Sequence, residues 1–166
     1  MFDQITIDRI ELMHPSIKEQ LKKDYLEINK NLPKGVRLRF TQTLRTKTEQ
    51  DGLYALGRTK VNVDGKSSKK PLGNIVTNSK GEQSIHIYGL AFDIVIMLQD
   101  SNEKWDITWK RGEYHERVEN FFKKKGWTWG GEFKSFKDYP HFEYTHGNSW
   151  RYYANLPKDK KGYPVL

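Results

Sequence analysis

Residues 84–98 read SIHIYGLAFDIVIML, and this stretch decides the fold. From Ala91 to Leu98 it is nearly continuously apolar and rich in β-branched residues, which predicts a buried central strand. Gly89 permits a tight return of the chain just before that strand. A carboxylate inside so apolar a run is costly to bury without a cation or several hydrogen-bond donors. Asp93 is therefore a candidate functional residue.

The rest of the chain predicts a mixture of helices and strands around this central strand. The predicted helices run from a Ser16–Glu19 capping box to Asn31, from a Thr46–Glu49 capping box to a stop at Gly57, and from Gly112 to Lys125. Further strands are predicted where Val36, Leu38 and Phe40 alternate with polar residues, and from His141 to Thr145. Because no regular βαβ repeat is present, the predicted fold class is α+β.

The length of 166 residues fits one domain, 1–166. A polar segment from Val61 to Lys80 predicts a long loop, which is either functional or mobile. The tail, residues 147–166, carries Trp150, Tyr152, Tyr153 and several lysines. These side chains either pack on the domain or contact a partner, and we expect no separate binding domain.

The composition favours a folded protein with a basic surface. Aromatic residues make up 13% of the chain, the hydrophobic share is 36% and the mean hydropathy is -0.86. So many large rings argue against disorder. The 29 lysines and arginines outnumber the 21 aspartates and glutamates, which gives a net charge of +8. Such a surface attracts nucleic acid, anionic lipid or acidic wall polymers, or is simply solvated, and charge alone does not choose among these.

The chain has five histidines and no cysteine, so a metal site must be built from His, Asp and Glu. His86, Asp93 and His141 can supply the three protein ligands of a catalytic zinc, which leaves one position for water. Asp138 precedes His141 by three residues and can reach that water without ligating the ion. Such spacings also arise by chance. The alternatives are a loop histidine bonded to backbone and a buried Asp93 held by donors at the strand end.

Two motifs resemble a known family. S-x-H-x-x-G-x-A-x-D at 84–93 and D-x-x-H at 138–141 are similar to the LAS-type zinc peptidases. That family includes D-Ala-D-Ala carboxypeptidases, D-Ala-D-Ala dipeptidases and phage L-alanyl-D-glutamate endopeptidases. Further segments resemble the endopeptidase branch, namely residues 7–10, 13–15, 42–46, 49–55, 57–59, 75–78 and 127–131. The resemblance implies a LAS/hedgehog-type fold in which helices flank a small antiparallel sheet.

The resemblance covers residues 5–145 and implies a role for particular side chains. His86, Asp93 and His141 match the zinc ligands, and Asp138 matches the catalytic carboxylate. Arg45 matches an arginine near the scissile carbonyl, where a fixed cationic fork would stabilise an oxyanion. Its alternative is a surface charge at a strand end. The predicted substrate-binding residues are Ser84, Arg58 and Gln50, although Ser84 is nearly as well explained as a turn former. The loop at 61–72 is longer than in close relatives, and the tail lies outside the resemblance.

The function implied by the resemblance is a zinc-dependent peptidoglycan endopeptidase, an endolysin that hydrolyses the L-alanyl-D-glutamate bond of the stem peptide and lyses bacteria. The alternatives are a D-alanyl-D-alanine carboxypeptidase and a basic wall-binding or nucleic-acid-binding module with a vestigial site. The intact set of His86, Asp93, His141 and Asp138 disfavours the module, and no helix-turn-helix or RNA-binding pattern supports nucleic acid. The expected partner is the stem peptide, and the expected state is a monomer.

The N-terminal residues MFDQITIDRIELMH lack the basic and apolar regions of a signal peptide. No run approaches the roughly 18 apolar residues that span a bilayer. We therefore expect synthesis in the host cytoplasm without a signal peptide and no stable membrane association. Release to the cell wall or periplasm through a holin pore would follow.

Overall fold

A computed structural model describes residues 2–166. Across this range five helices flank five strands. The helices are α1 (Gln4–Ile10), α2 (Lys18–Asn31), α3 (Lys47–Ala55), α4 (Glu113–Lys124) and α5 (Trp150–Asn155). The strands are β1 (Val36–Gln42), β2 (Ala91–Gln99), β3 (Trp105–Thr108), β4 (Thr128–Trp129) and β5 (His141–Glu143). Short 3-10 helices lie at Gly81–Gln83, Ile85–Tyr88 and Gly130–Glu132. The predicted α+β class, with a small sheet flanked by helices, is confirmed.

Strand β2 is the centre of the sheet, as its apolar sequence predicts. It pairs with β1 along one edge, and along the other with β5 at its start and β3 at its end. β4 pairs with β5, and every pairing is antiparallel. The register sets Asp93 opposite His141 on β5 and opposite Gln42 on β1. Two candidate ligands are therefore neighbours across adjacent strands.

An aromatic cluster forms the core beneath the start of β2. Phe92 has no solvent exposure and stacks on Phe40 of β1 with ring centroids 4.1 Å apart. The rings of Phe122, Trp127 and Phe142 also pack against Phe92, at 5.0, 4.6 and 5.2 Å. Large rings bury much apolar area per residue, so this cluster fixes the backbone of β2 one residue before Asp93.

The tail packs on the domain. Tyr153 of α5 is buried, and its hydroxyl donates to the carbonyl of Thr145 at 2.7 Å. Beyond α5, residues 157–165 fold back as a small hairpin closed by backbone bonds. Tyr163 in this hairpin donates its hydroxyl to the carbonyl of Leu12 at 2.9 Å. The tail is thus part of the same core and wraps toward the N-terminal segment.

One predicted capping box forms and the other does not. At α3, Glu49 accepts from the backbone of Thr46 and returns its own backbone donor to the Thr46 hydroxyl. The Ser16–Glu19 box is a wrong prediction, because α2 has Ile17 as its N-cap with no side-chain cap bond. Ser16 instead lies 2.7 Å from the imidazole of His14, and this contact between residues two apart takes the hydroxyl away from the helix end.

Four short elements are not among the sequence predictions, namely α1, β3, β4 and α5. Helix α1 shows why, because its sequence QITIDRI alternates like a strand. Its N-cap, Asp3, accepts from the backbone of Thr6 and also pairs with Arg39 of β1 at 2.7 Å. A contact across 36 residues therefore decides the conformation of this segment. Within residues 2–166, no helix is long and apolar enough to cross a membrane.

The aromatic core gives a stability prediction. Phe92→Ala should lower the free energy of unfolding by about 3–5 kcal/mol, because it removes a fully buried ring and leaves a cavity among four others. Chemical denaturation followed by circular dichroism measures the change. Phe2→Ala is the matched control, since Phe2 is 51% exposed and should cost little. Equal losses in the two variants would contradict this account of the core.

Candidate functional site

The structure brings His86, Asp93 and His141 together in one cluster. His86 Nε2 and His141 Nδ1 each lie 3.1 Å from Asp93 Oδ1, and the two ring nitrogens lie 3.1 Å from each other. Three donor atoms thus form an equilateral triangle. In a tetrahedral zinc site with bonds of about 2.0–2.1 Å, neighbouring donors are about 3.3 Å apart. The observed spacing is close to that value, so the donor set fits a small divalent cation.

Local structure explains how residues so far apart in sequence meet. Asp93 and His141 face each other because β2 and β5 pair in that register. His86 comes from the 3-10 helix Ile85–Tyr88, which Gly89 ends with a left-handed φ of 68°. A Cβ at Gly89 would lie 2.9 Å from both the His14 backbone nitrogen and the Tyr163 ring. Glycine is therefore required both for the turn and for the close approach of the tail.

Each histidine is oriented through the ring nitrogen that does not face the triangle. His86 Nδ1 donates to the carbonyl of Thr43 at 2.7 Å, which leaves Nε2 free to act as a ligand. His141 Nε2 donates to Glu143 Oε2 at 3.2 Å, which leaves Nδ1 facing Asp93. Sequence reasoning missed Glu143. The available signal was its position two residues after His141, which places both on the same face of a strand.

Arg45 contacts the second oxygen of Asp93. Its Nη2 lies 2.5 Å from Asp93 Oδ2, and both side chains are largely buried, with 11% and 15% exposure. Its Nη1 donates to Gln50 Oε1 at 3.2 Å, and its Nε has no hydrogen-bond partner among the described residues. Gln50 is fully buried and donates to the carbonyl of Ser79 at 2.7 Å. Arg45 therefore lies beside the cluster, and its hydrogen bond to the buried Gln50 holds the guanidinium in place.

The electrostatics of the cluster favour a positive charge beside Asp93. Burial alone would raise the pKa of Asp93, but His86 and His141 outweigh it and hold that pKa well below its ordinary value. Burial lowers the pKa of His86. Burial would also lower the pKa of His141, yet hydrogen bonds to Asp93 and Glu143 raise it to about 10. A divalent cation between the three donors would stabilise the ionised Asp93 carboxylate by its positive charge.

A pocket of about 230 Å³ lies beside the cluster. Asp138 lines this pocket together with His86, His141 and Glu143. Burial raises the pKa of Asp138, and the nearby Asp93 carboxylate adds to the shift. Its backbone nitrogen donates to the carbonyl of Gly130 at 3.0 Å. A Cβ at Gly130 would lie 2.4 Å from the Asp138 carbonyl oxygen and 3.0 Å from the His141 Cβ. Only glycine fits there, so the 130–131 turn holds Asp138 against the cluster.

The walls of this pocket come from two segments on either side of the cluster. Thr77, Asn78, Ser79 and Ser84 form one wall, and Phe133, Ser135 and Phe136 form the other. The predicted substrate-binding residue Ser84 is buried and lines the pocket. The Phe133 ring lies 5.8 Å from the His141 ring, and Phe136 is 40% exposed at the rim. The pocket beside the candidate ligands is therefore lined by both polar and aromatic side chains.

Arg58 does not line this pocket. Its guanidinium donates to the carbonyls of Tyr54 and Thr77, each at 2.8 Å, and to Asn78 Oδ1 at 3.1 Å. It also lies over the Tyr54 ring at 3.9 Å. These contacts fasten the wall segment to α3. Arg58 and Gln50 therefore support the pocket from outside, and their direct contact with a substrate stays a prediction.

Comparisons with known proteins agree with this geometry. Residues 77–144, which hold all three candidate ligands and Asp138, match a family model described as D-alanyl-D-alanine carboxypeptidase. The chain is 39% identical over 115 residues to the peptidoglycan L-alanyl-D-glutamate endopeptidase CwlK of Bacillus subtilis (strain 168). That match covers 66% of this chain and 62% of CwlK, so the chain spans less than two thirds of the length of this relative.

A solved structure supports the fold. The chain resembles the Serratia marcescens L-Ala D-Glu endopeptidase ChiX with a TM-score of 0.53 and 22% sequence identity. The match covers 87% of this chain and 89% of ChiX. The chain is therefore similar to these peptidases in sequence and in fold.

The contact of Glu143 with His141 gives a prediction about metal binding. Glu143→Gln should weaken zinc binding by about 10-fold to 100-fold, because the carboxylate fixes the ring and raises its basicity. Competition with a chromogenic chelator measures the affinity directly. Glu132→Gln is the matched control, since Glu132 is exposed and lies outside the pocket. Equal zinc affinities for the wild type and Glu143→Gln would show that Glu143 does not orient His141.

Proposed function

We propose that this protein is a zinc-dependent peptidoglycan endopeptidase that hydrolyses the L-alanyl-D-glutamate bond of the stem peptide. The observation that carries the proposal is that Asp138 lines one pocket with His86 and His141, which form the donor cluster with Asp93. The names of CwlK and ChiX support this bond as the target. The donor set of two histidines and one carboxylate, without cysteine, suits a catalytic zinc with one open position.

The zinc ion would be held by His86, Asp93 and His141. When bound, it supplies Lewis-acid chemistry, lowering the pKa of a water molecule toward about 7 and polarising a carbonyl. Asp138 takes a proton from the attacking water and delivers it to the departing amine. Its burial favours the protonated form that the second of these steps requires.

Arg45 supports the same chemistry by charge. Its guanidinium is always protonated and largely shielded from solvent, so it stabilises negative charge that develops on a carbonyl oxygen bound nearby. Its ion pair with Asp93 Oδ2 also leaves Oδ1 turned toward the two histidines. Arg45 therefore acts both on the ligand set and on the reacting group.

The family model favours a second candidate, a D-alanyl-D-alanine carboxypeptidase, because that is its description. The two activities use the same residues and differ in the bond that is cut. A basic wall-binding or nucleic-acid-binding module with a vestigial site fits less well, since His86 and His141 lie beside Asp138 in one pocket and cluster with Asp93.

We further propose that the protein acts as an endolysin. On this proposal it is made in the host cytoplasm, is released through a holin pore and acts on the wall as a monomer without nucleic acid or stable membrane association. The net charge of +8 supports attraction to an anionic wall. Expression of the chain in bacteria with and without a holin tests the release step. We expect the cells to lyse only when the holin is co-expressed.

Digestion of purified peptidoglycan followed by mass spectrometry tests the scissile bond. We expect new peptides with N-terminal D-glutamate and free L-alanine left on the glycan. Asp138→Asn should keep the metal and lower kcat by about 100-fold to 10,000-fold, because only proton transfer is removed. Metal analysis by mass spectrometry should find zinc in both proteins.

The matched control is Asp106→Asn, an exposed aspartate on β3 that should leave kcat unchanged. Loss of terminal D-alanine alone would establish the carboxypeptidase instead. A wild type that holds no zinc, or an Asp138→Asn variant that stays fully active, would show that the site assignment is wrong.

A further inference from the structure

The tail builds a second pocket on the far side of Arg45. This tail pocket has a volume of about 320 Å³. One wall comes from Leu44 to Lys47, where β1 leads into α3. The opposite wall comes from Ala154, Lys158 and the 161–163 turn. The pocket therefore exists only because the tail folds back onto the domain.

The tail wall is fixed in place by contacts on both sides. His14 Nε2 lies 2.8 Å from the carbonyl oxygen of Pro164, and the His14 and Tyr163 rings meet edge to face at 5.5 Å. Tyr163 packs against Gly89, which directly follows the 3-10 helix that carries His86. The tail wall of this pocket thus packs against the segment that positions His86 in the candidate metal centre.

The tail pocket is lined by several lysines, and two of them have no carboxylate partner among the described residues. Lys47 is paired with Glu82, Nζ to Oε1, at 2.9 Å. Within residues 2–166, Lys158 and Lys161 have no carboxylate within 4.0 Å. Lys158 donates to the Tyr153 carbonyl and lies 5.0 Å from the centre of the Tyr88 ring. Partial burial lowers the pKa of Lys158, and an anion beside it would favour the charged form.

The location of the tail pocket relates it to the substrate. Arg45 lines both the tail pocket and the pocket of the candidate metal centre, so it is their common wall. Ile87 and Tyr88 line the tail pocket, while the preceding Ile85 and His86 line the other. A substrate group bound in the tail pocket would therefore lie close to the peptide bond that is cut at the candidate metal centre.

We propose that the tail pocket binds a carboxylate of the stem peptide on the C-terminal side of the scissile bond, with Lys158 and Lys161 as the cationic partners. This inference rests on the proposed function. A D-glutamyl residue linked through its side-chain carboxyl keeps its α-carboxylate free, and the peptide ends in another carboxylate. Ammonium groups bind carboxylates through charge-assisted hydrogen bonds.

The size and lining of the tail pocket favour a peptide carboxylate over a polymeric wall anion. A volume of about 320 Å³ holds one or two amino-acid residues rather than a chain of phosphates. Ile87, Tyr88 and Ala154 offer apolar surface for the aliphatic part of such a residue. The tail thereby selects acidic peptides in addition to completing the core.

Steady-state kinetics on matched peptides test the proposal. The probes are L-Ala-γ-D-Glu-L-Lys-D-Ala with both carboxylates free, two versions with one carboxylate amidated, and the diamide. The double variant Lys158→Ala/Lys161→Ala should raise KM for the free peptide about tenfold, with kcat changed less than about twofold, since the pocket binds but does not react. The diamide should show no change between wild type and variant. The two singly amidated peptides identify which carboxylate is bound.

The charge control is Lys124→Ala/Lys160→Ala, which removes the same two charges from exposed positions outside the tail pocket. It should leave KM unchanged. Lys161→Glu is a second variant for the case in which the loss of Lys158 disturbs folding, because the Lys161 side chain has no hydrogen bond or ion pair among the described residues. It should raise KM for the free peptide at least as much as the double variant.

An unchanged KM, an equal change for the diamide, or an equal change in the control would overturn the proposal. Calorimetric binding of the product peptide γ-D-Glu-L-Lys-D-Ala separates this outcome from failure of the proposed function. A wild type that cleaves none of the peptides between alanine and glutamate would refute the proposed function. The tail pocket would still be supported if the double variant bound the product about tenfold more weakly, and refuted if it bound equally well.

Discussion

The antiparallel pairing of Asp93 with His141 is the constraint on which the site depends. It places a carboxylate and an imidazole from residues 48 apart at 3.1 Å, with His86 completing the triangle. A one-residue slip of β5 against β2 would turn His141 to the other face of the sheet. The Phe92 cluster resists such a slip, because Phe92 lies opposite Phe142 and both are fully buried. The core thus specifies the register, and the register specifies the site.

Around that pairing, a second layer of contacts orients each functional group. Thr43 and Glu143 hold the two imidazoles, and Arg45 holds the second oxygen of Asp93. Gly130 leaves room for the backbone of the segment that carries Asp138. These supports come from the segment that follows β1, from β5 and from the 130–131 turn, so the geometry of the site belongs to several parts of the fold rather than to one motif. The proposed hydrolytic centre needs this rigidity, because small displacements of reacting groups are costly.

Much of this architecture could be predicted from sequence, and each failure has a physical cause. The central strand, the Thr46–Glu49 cap and the long helix now labelled α4 were predicted because their signals are local. Helix α1 was missed because Arg39 supplies a partner for its N-cap from elsewhere in the fold. The cap at Ser16 was wrong because its hydroxyl contacts the imidazole of His14, two residues before it. In the site, residue chemistry made His86, Asp93 and His141 candidate ligands and the resemblance made that assignment specific, whereas Glu143 was found only in the structure.

The sequence by itself determined that an apolar strand carries a lone carboxylate and that any metal site must use His, Asp and Glu. Those conclusions follow from the chemistry of neighbouring side chains and from composition. Only the tertiary structure decided that Arg58 braces the pocket from outside and that the tail forms a second basic pocket beside Arg45. These features depend on contacts between segments far apart in the chain. Local patterns do not encode such contacts, because the packing of the whole core selects them.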